Sequence, residues 1–372
     1  MIYFDNNATT PLAEEVKEEM AACFDIFGNP SSLHFEGQKS RQVIEKARRR
    51  VADFIGARPE EIVFTGSGTE ANNIAVAGYA LAEPDGMIIT TAIEHSAVLK
   101  PVCRMEDQGR TAIKLLPDAD GRIVVKDALG AIRSVQKGLV TIMLANNETG
   151  VIQPVRELVE AAKAQGLLVH TDAVQAAGKI PLNVDELGVD MLSISAHKFH
   201  GPKGVGALYI RGGVKVAPVV LGGSQEHTMR PGTENVLGIA GIGKACELAS
   251  ECCDSRLRDM FEELILKNVP DTFVNGKNAP RVPNTANIGF KDIDNQALVI
   301  NLDIEDIAAS TGAACSSAKK EASHVLTAMC MSSAEARSSV RFSFSRYNTE
   351  EEVVTAVERI RRTVERMRGR LG

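Results

Sequence analysis

Between residues 60 and 245 the chain alternates short apolar runs, rich in β-branched residues, with segments of helical spacing. The apolar runs are residues 61–65, 87–91, 140–144, 167–171, 191–195 and 205–210. Helical spacing occurs between them, for example over residues 70–81 and 155–165. Strands that alternate with helices form a largely parallel sheet with helices packed on its faces. The pattern therefore predicts an α/β fold.

The alternation of strand-like and helix-like segments ends near residue 243. Residues 234–267 predict one long helix, with Thr233 as its N-cap, and Pro270 ends it. Shorter elements follow, and a last helix is predicted over residues 349–371, with acidic residues at its start and arginines near its end. We expect a large domain of residues 11–250 and a smaller α/β domain formed by residues 1–10 and 251–372.

Composition limits the classes of partner. The 372 residues carry a net charge of −6, which argues against nucleic acid or an anionic membrane as the main partner. The chain has no long apolar run and no signal-peptide pattern, so we expect a cytoplasmic protein without a membrane span. The seven cysteines are an odd number without a disulfide framework, which favours a reducing compartment, and they include no C-x-x-C pair, which argues against a metal site.

A glycine-rich loop covers residues 65–72 and lies between a predicted strand and a predicted helix. Free backbone N–H groups at such a helix start bind anions, and Gly66 and Gly68 permit a tight turn. The loop predicts a phosphate site. It also resembles a loose dinucleotide fingerprint, with Glu94 as the acid that such a site needs, so the loop alone leaves both interpretations open.

Polar side chains follow several of the predicted strands. They are His95, Asn147, Asp172, Gln175, Ser195, His197 and Lys198. Because the carboxyl ends of parallel strands meet at one edge of a sheet, we expect these residues to lie together with the glycine-rich loop.

Pyridoxal phosphate needs these residue types together: a lysine for a Schiff base, a carboxylate at the pyridinium nitrogen and an anion cup. Lys198 and Asp172 are the candidates for the first two roles. The candidates for the cup are Thr69, Ser195 and His197. Lys203 is a rival lysine, although its glycine and proline neighbours indicate a turn.

Two further residues are candidates for chemistry. Small residues surround Cys315 over positions 310–318, which predicts an accessible loop; the thiol is either a nucleophile or a small buried side chain. Arg341 lies in an alternating strand pattern over residues 338–345. Its guanidinium either binds a carboxylate in a cleft or forms a surface salt bridge.

Nine motifs, in chain order, resemble those of the cysteine desulfurases, a branch of the class V aminotransferase group of pyridoxal-phosphate enzymes. The motifs are residues 3–11, 64–72, 94–95, 146–150, 172–175, 195–204, 229–233, 311–317 and 339–344. The resemblance covers nearly the whole chain. It implies the fold-type I architecture and a homodimer with each active site at the dimer interface.

The resemblance also implies a role for each site residue. Lys198 would hold pyridoxal 5'-phosphate, Asp172 would pair with its pyridinium nitrogen, and His95 would stack on the ring and act as an acid or base. Gln175 would approach the ring hydroxyl, and Asn147 would lie near ring and substrate. The residues implied to bind phosphate are Gly68, Thr69, Ser195 and His197, with Thr233 reaching the phosphate of the other protomer.

The implied reaction converts L-cysteine to L-alanine. Arg341 would bind the substrate carboxylate, and the thiolate of Cys315 would attack the substrate sulfur to form a persulfide. The persulfide sulfur would pass to an acceptor such as an iron–sulfur scaffold protein or a tRNA-thiolation relay. Residues 311–317 resemble the long-loop branch, so a mobile loop is expected at Cys315. A transient contact between Cys315 and an iron–sulfur cluster is left open.

Three alternatives compete with this function. A selenocysteine lyase, or another pyridoxal-phosphate enzyme of β-elimination or transamination, would keep the cofactor and change the substrate. A nicotinamide oxidoreductase would use the glycine-rich loop but would leave Lys198, Asp172 and Cys315 without roles. A non-enzymatic sulfur carrier would use Cys315 alone and would bind no cofactor.

Overall fold

A computed structural model describes residues 1–249, 254–312 and 322–369, with twelve strands in these residues. They are β1 (Ile2–Tyr3), β2 (Ile62–Thr65), β3 (Met87–Thr91), β4 (Ala112–Leu115), β5 (Gly138–Thr141), β6 (Leu168–Asp172), β7 (Met191–Ser195), β8 (Gly206–Ile210), β9 (Thr272–Val274), β10 (Thr285–Phe290), β11 (Ile307–Ala308) and β12 (Ser339–Ser343).

Seven of these strands form the central sheet, in the order β2-β8-β7-β6-β5-β3-β4. Neighbouring strands from β4 to β7 pair in parallel, whereas β8 runs antiparallel to both β7 and β2. The prediction of a largely parallel α/β sheet is confirmed. The carboxyl ends of β2, β3, β5, β6 and β7 therefore lie at the same edge.

Helices cover the sheet and fill the connections. They are α1 (Glu14–Ala21), α2 (Phe35–Ile55), α3 (Gly68–Ala82), α4 (Ser96–Asp107), α5 (Val125–Ser134), α6 (Val155–Ala164), α7 (Val184–Leu187), α8 (Val236–Leu248), α9 (Arg256–Asn268), α10 (Asn295–Ile304), α11 (His324–Ala328), α12 (Ser333–Arg337) and α13 (Glu350–Met367). Both α1 and α2 pack against α8, and α3 lies against β7 and β8.

A second, smaller core lies beside the antiparallel sheet β12-β10-β9. The helices α9, α10 and α13 contribute to it. The N-terminus joins this core as well, since β1 pairs in parallel with β11 and Phe4 stacks edge-on against Phe344 at 4.7 Å between ring centroids. The division of the chain at residues 10 and 250 stays a prediction.

The single helix predicted over residues 234–267 is wrong, because two helices, α8 and α9, occupy this stretch. The side chain of Asp254 accepts a hydrogen bond from the backbone N–H of Arg256 at 3.0 Å, which favours a new helix start there. The expected cap is also wrong: Asn235 accepts from Gly238 N at 3.0 Å, whereas Thr233 lies two residues earlier and is exposed.

No helix in the described part of the chain is long and apolar enough to cross a membrane. Within the same residues, no group of three or more His, Cys, Asp or Glu side chains is arranged to hold a metal ion.

Candidate active site

A cavity of about 440 Å³ opens at the carboxyl edge of the central sheet. Ten of the residues predicted for the site line it: Gly68, Thr69, His95, Asn147, Asp172, Gln175, Ser195, His197, Lys198 and Arg341. The structure therefore brings together residues that are up to 273 positions apart, from Gly68 to Arg341. The roles that the sequence predicts for them stay predictions.

Two predicted site residues are not among the lining residues. Thr233 is exposed; its expected role concerns a second protomer and stays a prediction. Cys315 lies outside the described residues. On either side of the segment 313–321, Gly312 and His324 both line the cavity. The rival lysine, Lys203, is exposed and does not line it.

The N-terminus of α3 forms one end of the cavity. Ser67 is its N-cap and accepts a hydrogen bond from Glu70 N at 3.1 Å, while Thr65 Oγ1 donates to the carbonyl of Ser67 at 3.0 Å. A Cβ on Gly68 would lie 2.7 Å from Cγ2 of Val174, so glycine is needed where the helix start approaches the next strands. This 15-residue helix directs its free N–H groups and dipole at the cavity.

His197 and Ser195 complete the same end. Nδ1 of His197 lies 3.2 Å from Oγ1 of Thr9, and burial together with the ammonium of Lys198 lowers the pKa of His197 to about 4. Ser195 is the last residue of β7, as predicted. A neutral, partly buried imidazole beside a helix N-terminus can donate a hydrogen bond to an anion.

Asp172 ends β6, as predicted, and lines the cavity. Its carboxylate accepts from Asn72 Nδ2 at 2.6 Å and from the backbone N–H of Val174 at 2.9 Å. Burial raises the pKa of Asp172, and the nearby His95 opposes that rise. A buried carboxylate with a raised pKa is suited to pair with a cationic N–H group.

Lys198 and His95 face the cavity from two different connections. Lys198 lies in a short turn after β7, and its Nζ donates to the carbonyls of Asn7 at 2.7 Å and Ala8 at 2.8 Å. His95 is the N-cap of α4, where Nδ1 accepts from Ala97 N at 3.1 Å. Burial lowers the pKa of His95, and the negative charge of Asp172 opposes that lowering.

Arg341 lies on β12 and is 2% exposed, so the surface salt bridge is excluded. Its Nη1 donates to the carbonyl of Asn147 and its Nη2 to Oδ1 of Asp5, both at 2.8 Å. Among the described residues, Nε of Arg341 has no hydrogen-bond partner. The guanidinium is therefore held from two sides while one buried N–H is unused.

Sequence reasoning assigned no role to several residues that the structure brings to the site. Asp5 and Asn7 belong to the N-terminal motif, but no local pattern indicates that Asn7 lines the cavity or that Asp5 contacts Arg341. Glu148 also lines it: burial raises the pKa of its carboxyl, and Oε2 accepts from Ser323 Oγ at 2.5 Å. Asn72, one turn into α3, contacts the carboxylate of Asp172. Because Asn72 lies one helical turn after Gly68, helical spacing after the glycine-rich loop could have indicated that its side chain faces the cavity.

Glu94, the acid required by the dinucleotide interpretation, is buried within the protein. It accepts hydrogen bonds from Thr91 Oγ1 at 2.8 Å and Met143 N at 2.9 Å, and burial raises its pKa to about 8. Glu94 is not among the residues that line the cavity. Its carboxyl is therefore not placed to bind a ribose there.

Comparison with known proteins identifies the family of the chain. The family model for class V aminotransferases matches residues 2–355. The cysteine desulfurase IscS of Dictyoglomus turgidum is 46% identical over 376 residues, covering 99% of this chain and 95% of that protein.

Two solved structures are similar along the chain. A NifS-like protein superposes with a TM-score of 0.90 at 36% identity, covering 98% of this chain and 99% of its own. SspA in complex with cysteine gives a TM-score of 0.84 at 36% identity, covering 94% and 100%. The chain thus belongs to the class V aminotransferase family and, within it, to the pyridoxal-phosphate-dependent cysteine desulfurases.

Proposed function

We propose that this desulfurase binds pyridoxal 5'-phosphate, converts L-cysteine to L-alanine and takes the sulfur as a persulfide on Cys315. One observation carries the proposal: Lys198, Asp172 and the N-terminus of α3 share one cavity. These are the amine, the carboxylate and the anion site that the cofactor requires. The substrate, L-cysteine, is assigned from the resemblance of the sequence to the family.

The polar groups of the cavity fit the cofactor. Asp172 is a buried carboxylate that lines the cavity and is held by Asn72 and by the backbone N–H of Val174, and a pyridinium N–H would be a cationic partner for it. Oδ1 of Asn72, beside it, is buried and has no hydrogen-bond partner within the described part of the chain. Ser67, Gly68 and Thr69 at the start of α3 line the cavity, and the free backbone N–H groups of this helix start would bind an anion there.

Lys198 would hold the cofactor covalently through Nζ. The same Nζ would accept the α-proton of the substrate, since the carbonyls of Asn7 and Ala8 orient this amine. Asp172 would keep the ring nitrogen protonated. When bound, the protonated ring supplies an electron sink for the pair released with the α-proton.

Arg341 would bind the carboxylate of L-cysteine, with Asn147 beside it. The buried, unused Nε of Arg341 supports this assignment, since a carboxylate oxygen would satisfy it. The contacts with Asp5 and with the carbonyl of Asn147 restrict the guanidinium to one orientation. His95 would lie on the ring face as an acid or base, and its lowered pKa favours the neutral imidazole.

The sulfur step uses the thiolate of Cys315. It would attack Sγ of the substrate, so that a bond forms between the two sulfurs while the bond between Cβ and Sγ breaks. The electron pair passes to Cβ, which takes up a proton and leaves alanine. Gly312 and His324, which line the cavity on either side of the segment that carries Cys315, support access of this thiol to the substrate.

We further propose a homodimer. Four large apolar side chains between positions 24 and 35 are strongly exposed: Phe24, Phe27, Leu33 and Phe35 are 69%, 82%, 93% and 72% exposed. Exposed apolar side chains concentrated in one segment are typical of a protein interface. In such a dimer Thr233 would bind the cofactor phosphate of the other protomer. We propose a cytoplasmic location and sulfur acceptors that serve iron–sulfur assembly or tRNA thiolation.

The test is to add pyridoxal phosphate and L-cysteine to the purified protein. We expect a yellow protein that releases alanine and sulfide in equal amounts when a thiol reductant is present. A yellow protein that releases selenide from selenocysteine, but no alanine from cysteine, would instead support the selenocysteine lyase. A colourless protein without product would contradict the proposal.

A further inference from the structure

A buried lysine lies next to the proposed site without lining the cavity. Lys179 is 4% exposed and follows Gln175 by four residues, after the carboxyl end of β6. Its Nζ donates to Oδ1 of Asn7 at 2.8 Å and to Oε1 of Gln175. Burying the ammonium of a lysine costs free energy, and the contacts with the two amide oxygens offset part of that cost.

The ammonium of Lys179 determines which way the amide of Gln175 is turned. An ammonium donates hydrogen bonds and accepts none, so the amide must present Oε1 to Lys179. On its other side, Nε2 of Gln175 donates to the carbonyl of Asn7 at 2.9 Å, and a carbonyl accepts only. Both contacts exclude the flipped amide, and one N–H of Nε2 is left for a ligand in the cavity.

The same ammonium fixes Asn7. Its Oδ1 accepts from Lys179 and from Nδ2 of Asn284 at 3.2 Å, which leaves Nδ2 to donate to Oγ1 of Thr285 at 2.9 Å. The carbonyl of Asn7 accepts from Nζ of Lys198. Lys179 is thus one residue removed from both Gln175 and the lysine proposed to hold the cofactor.

We propose that Lys179 is a positioning residue that makes Gln175 a hydrogen-bond donor toward an oxygen anion in the cavity. Without it, only the carbonyl of Asn7 opposes the flipped amide, in which Oε1 faces the ligand and two oxygens meet without a proton between them. The inference rests on the proposed function, because the oxygen in question is the deprotonated ring hydroxyl oxygen of pyridoxal phosphate.

A double-mutant cycle tests the proposal. The variants are Lys179→Met, Gln175→Ala and the double variant, with Lys244→Met as a matched control whose lysine pairs with Glu247 away from the cavity. Two quantities are measured: the dissociation constant of pyridoxal phosphate from titration of the cofactor-free protein, and the position of the visible absorption band of the bound cofactor. The thermal midpoint of each cofactor-free variant separates loss of folding from loss of binding.

We expect Lys179→Met to weaken cofactor binding about tenfold, which corresponds to about 1.4 kcal/mol, and to shift the band, while Lys244→Met changes neither. The double variant should bind no worse than Gln175→Ala, because Lys179 acts through Gln175. Additive losses of affinity, or a lowered midpoint with affinity and band unchanged, would overturn the proposal.

The cycle also separates this proposal from the proposed function. If the wild-type protein binds no pyridoxal phosphate, the proposed function fails. The thermal midpoints of the cofactor-free variants then still decide whether Lys179 holds Gln175: a non-additive cycle supports the contact, and an additive one overturns it.

Discussion

Nη2 of Arg341 lies 2.8 Å from Oδ1 of Asp5, a residue 336 positions earlier in the chain. The arginine is buried, whereas the side chain of Asp5 is 21% exposed. The N-terminal segment therefore supplies the counter-charge for the arginine that we assign to the substrate carboxylate. Because Asp5 occupies Nη2, the guanidinium is oriented before any substrate arrives.

Replacing Arg341 should affect substrate more than cofactor. We expect Arg341→Ala to raise KM for L-cysteine about 100-fold, on the order of 2–3 kcal/mol, because a charge-assisted contact with the carboxylate is lost. Steady-state kinetics and cofactor titration measure the two effects. Arg281→Ala is the matched control, since it breaks a similarly buried ion pair with Glu262. Equal losses of substrate and cofactor affinity for Arg341→Ala would count against the assignment.

Lys198→Ala should abolish covalent attachment of the cofactor and stop turnover, because it removes the amine that would hold the cofactor and accept the α-proton. Borohydride reduction followed by peptide mapping locates the labelled residue. Lys203→Ala, at an exposed neighbouring lysine, should keep both the label and activity. A label that persists in Lys198→Ala on another lysine would show that the assignment is wrong.

Gly68→Ala should weaken cofactor binding about tenfold, or about 1.4 kcal/mol, since the added Cβ would lie 2.7 Å from Val174 Cγ2 and displace the start of α3. Titration with pyridoxal phosphate measures the loss. The control is Gly130→Ala inside α5, where a Cβ meets nothing within 4 Å and should stabilise the helix by about 0.5–1 kcal/mol. Unchanged affinity in Gly68→Ala would mean that the helix start does not bind the phosphate.

Glu94 should make stability depend on pH. Burial raises its pKa from 4.5 to about 8, so between these values the folded protein keeps a proton that the unfolded chain has lost. The contribution of Glu94 to stability is therefore fully present below the lower value and is lost as the pH rises toward the upper one.

Glu94→Gln removes this titration, so its thermal midpoint should fall less than that of the wild type between about pH 5 and about pH 8. Glu157→Gln, at an exposed carboxylate paired with Arg122, should follow the wild-type curve. Parallel curves for Glu94→Gln and wild type would contradict the assigned pKa.

The sequence was sufficient to predict the parts of the site that follow strands. The bounds of β3 and β7 are confirmed, and Asp172 and Ser195 end their strands as expected. Buried parallel strands are continuous apolar runs, and the first polar residue after such a run marks the edge where the site lies.

Contacts between distant segments could not be predicted in this way. Asp5 and Asn7 reach the site because β1 pairs with β11, and no local pattern in ten N-terminal residues specifies that pairing. No sequence pattern singles out Lys179, since its burial depends on what packs over it. Helical spacing does not predict the break between α8 and α9, because the spacing continues past Asp254, whose side chain favours a new helix start.

The central claim is that sulfur leaves L-cysteine through a persulfide on Cys315, and its most direct test is a product measurement. Alanine and sulfide are quantified from L-cysteine with a thiol reductant, for wild type and for Cys315→Ser. We predict equal amounts of both products from wild type, and from Cys315→Ser neither product, although the cofactor remains bound. Alanine formed at the wild-type rate by Cys315→Ser would contradict the claim.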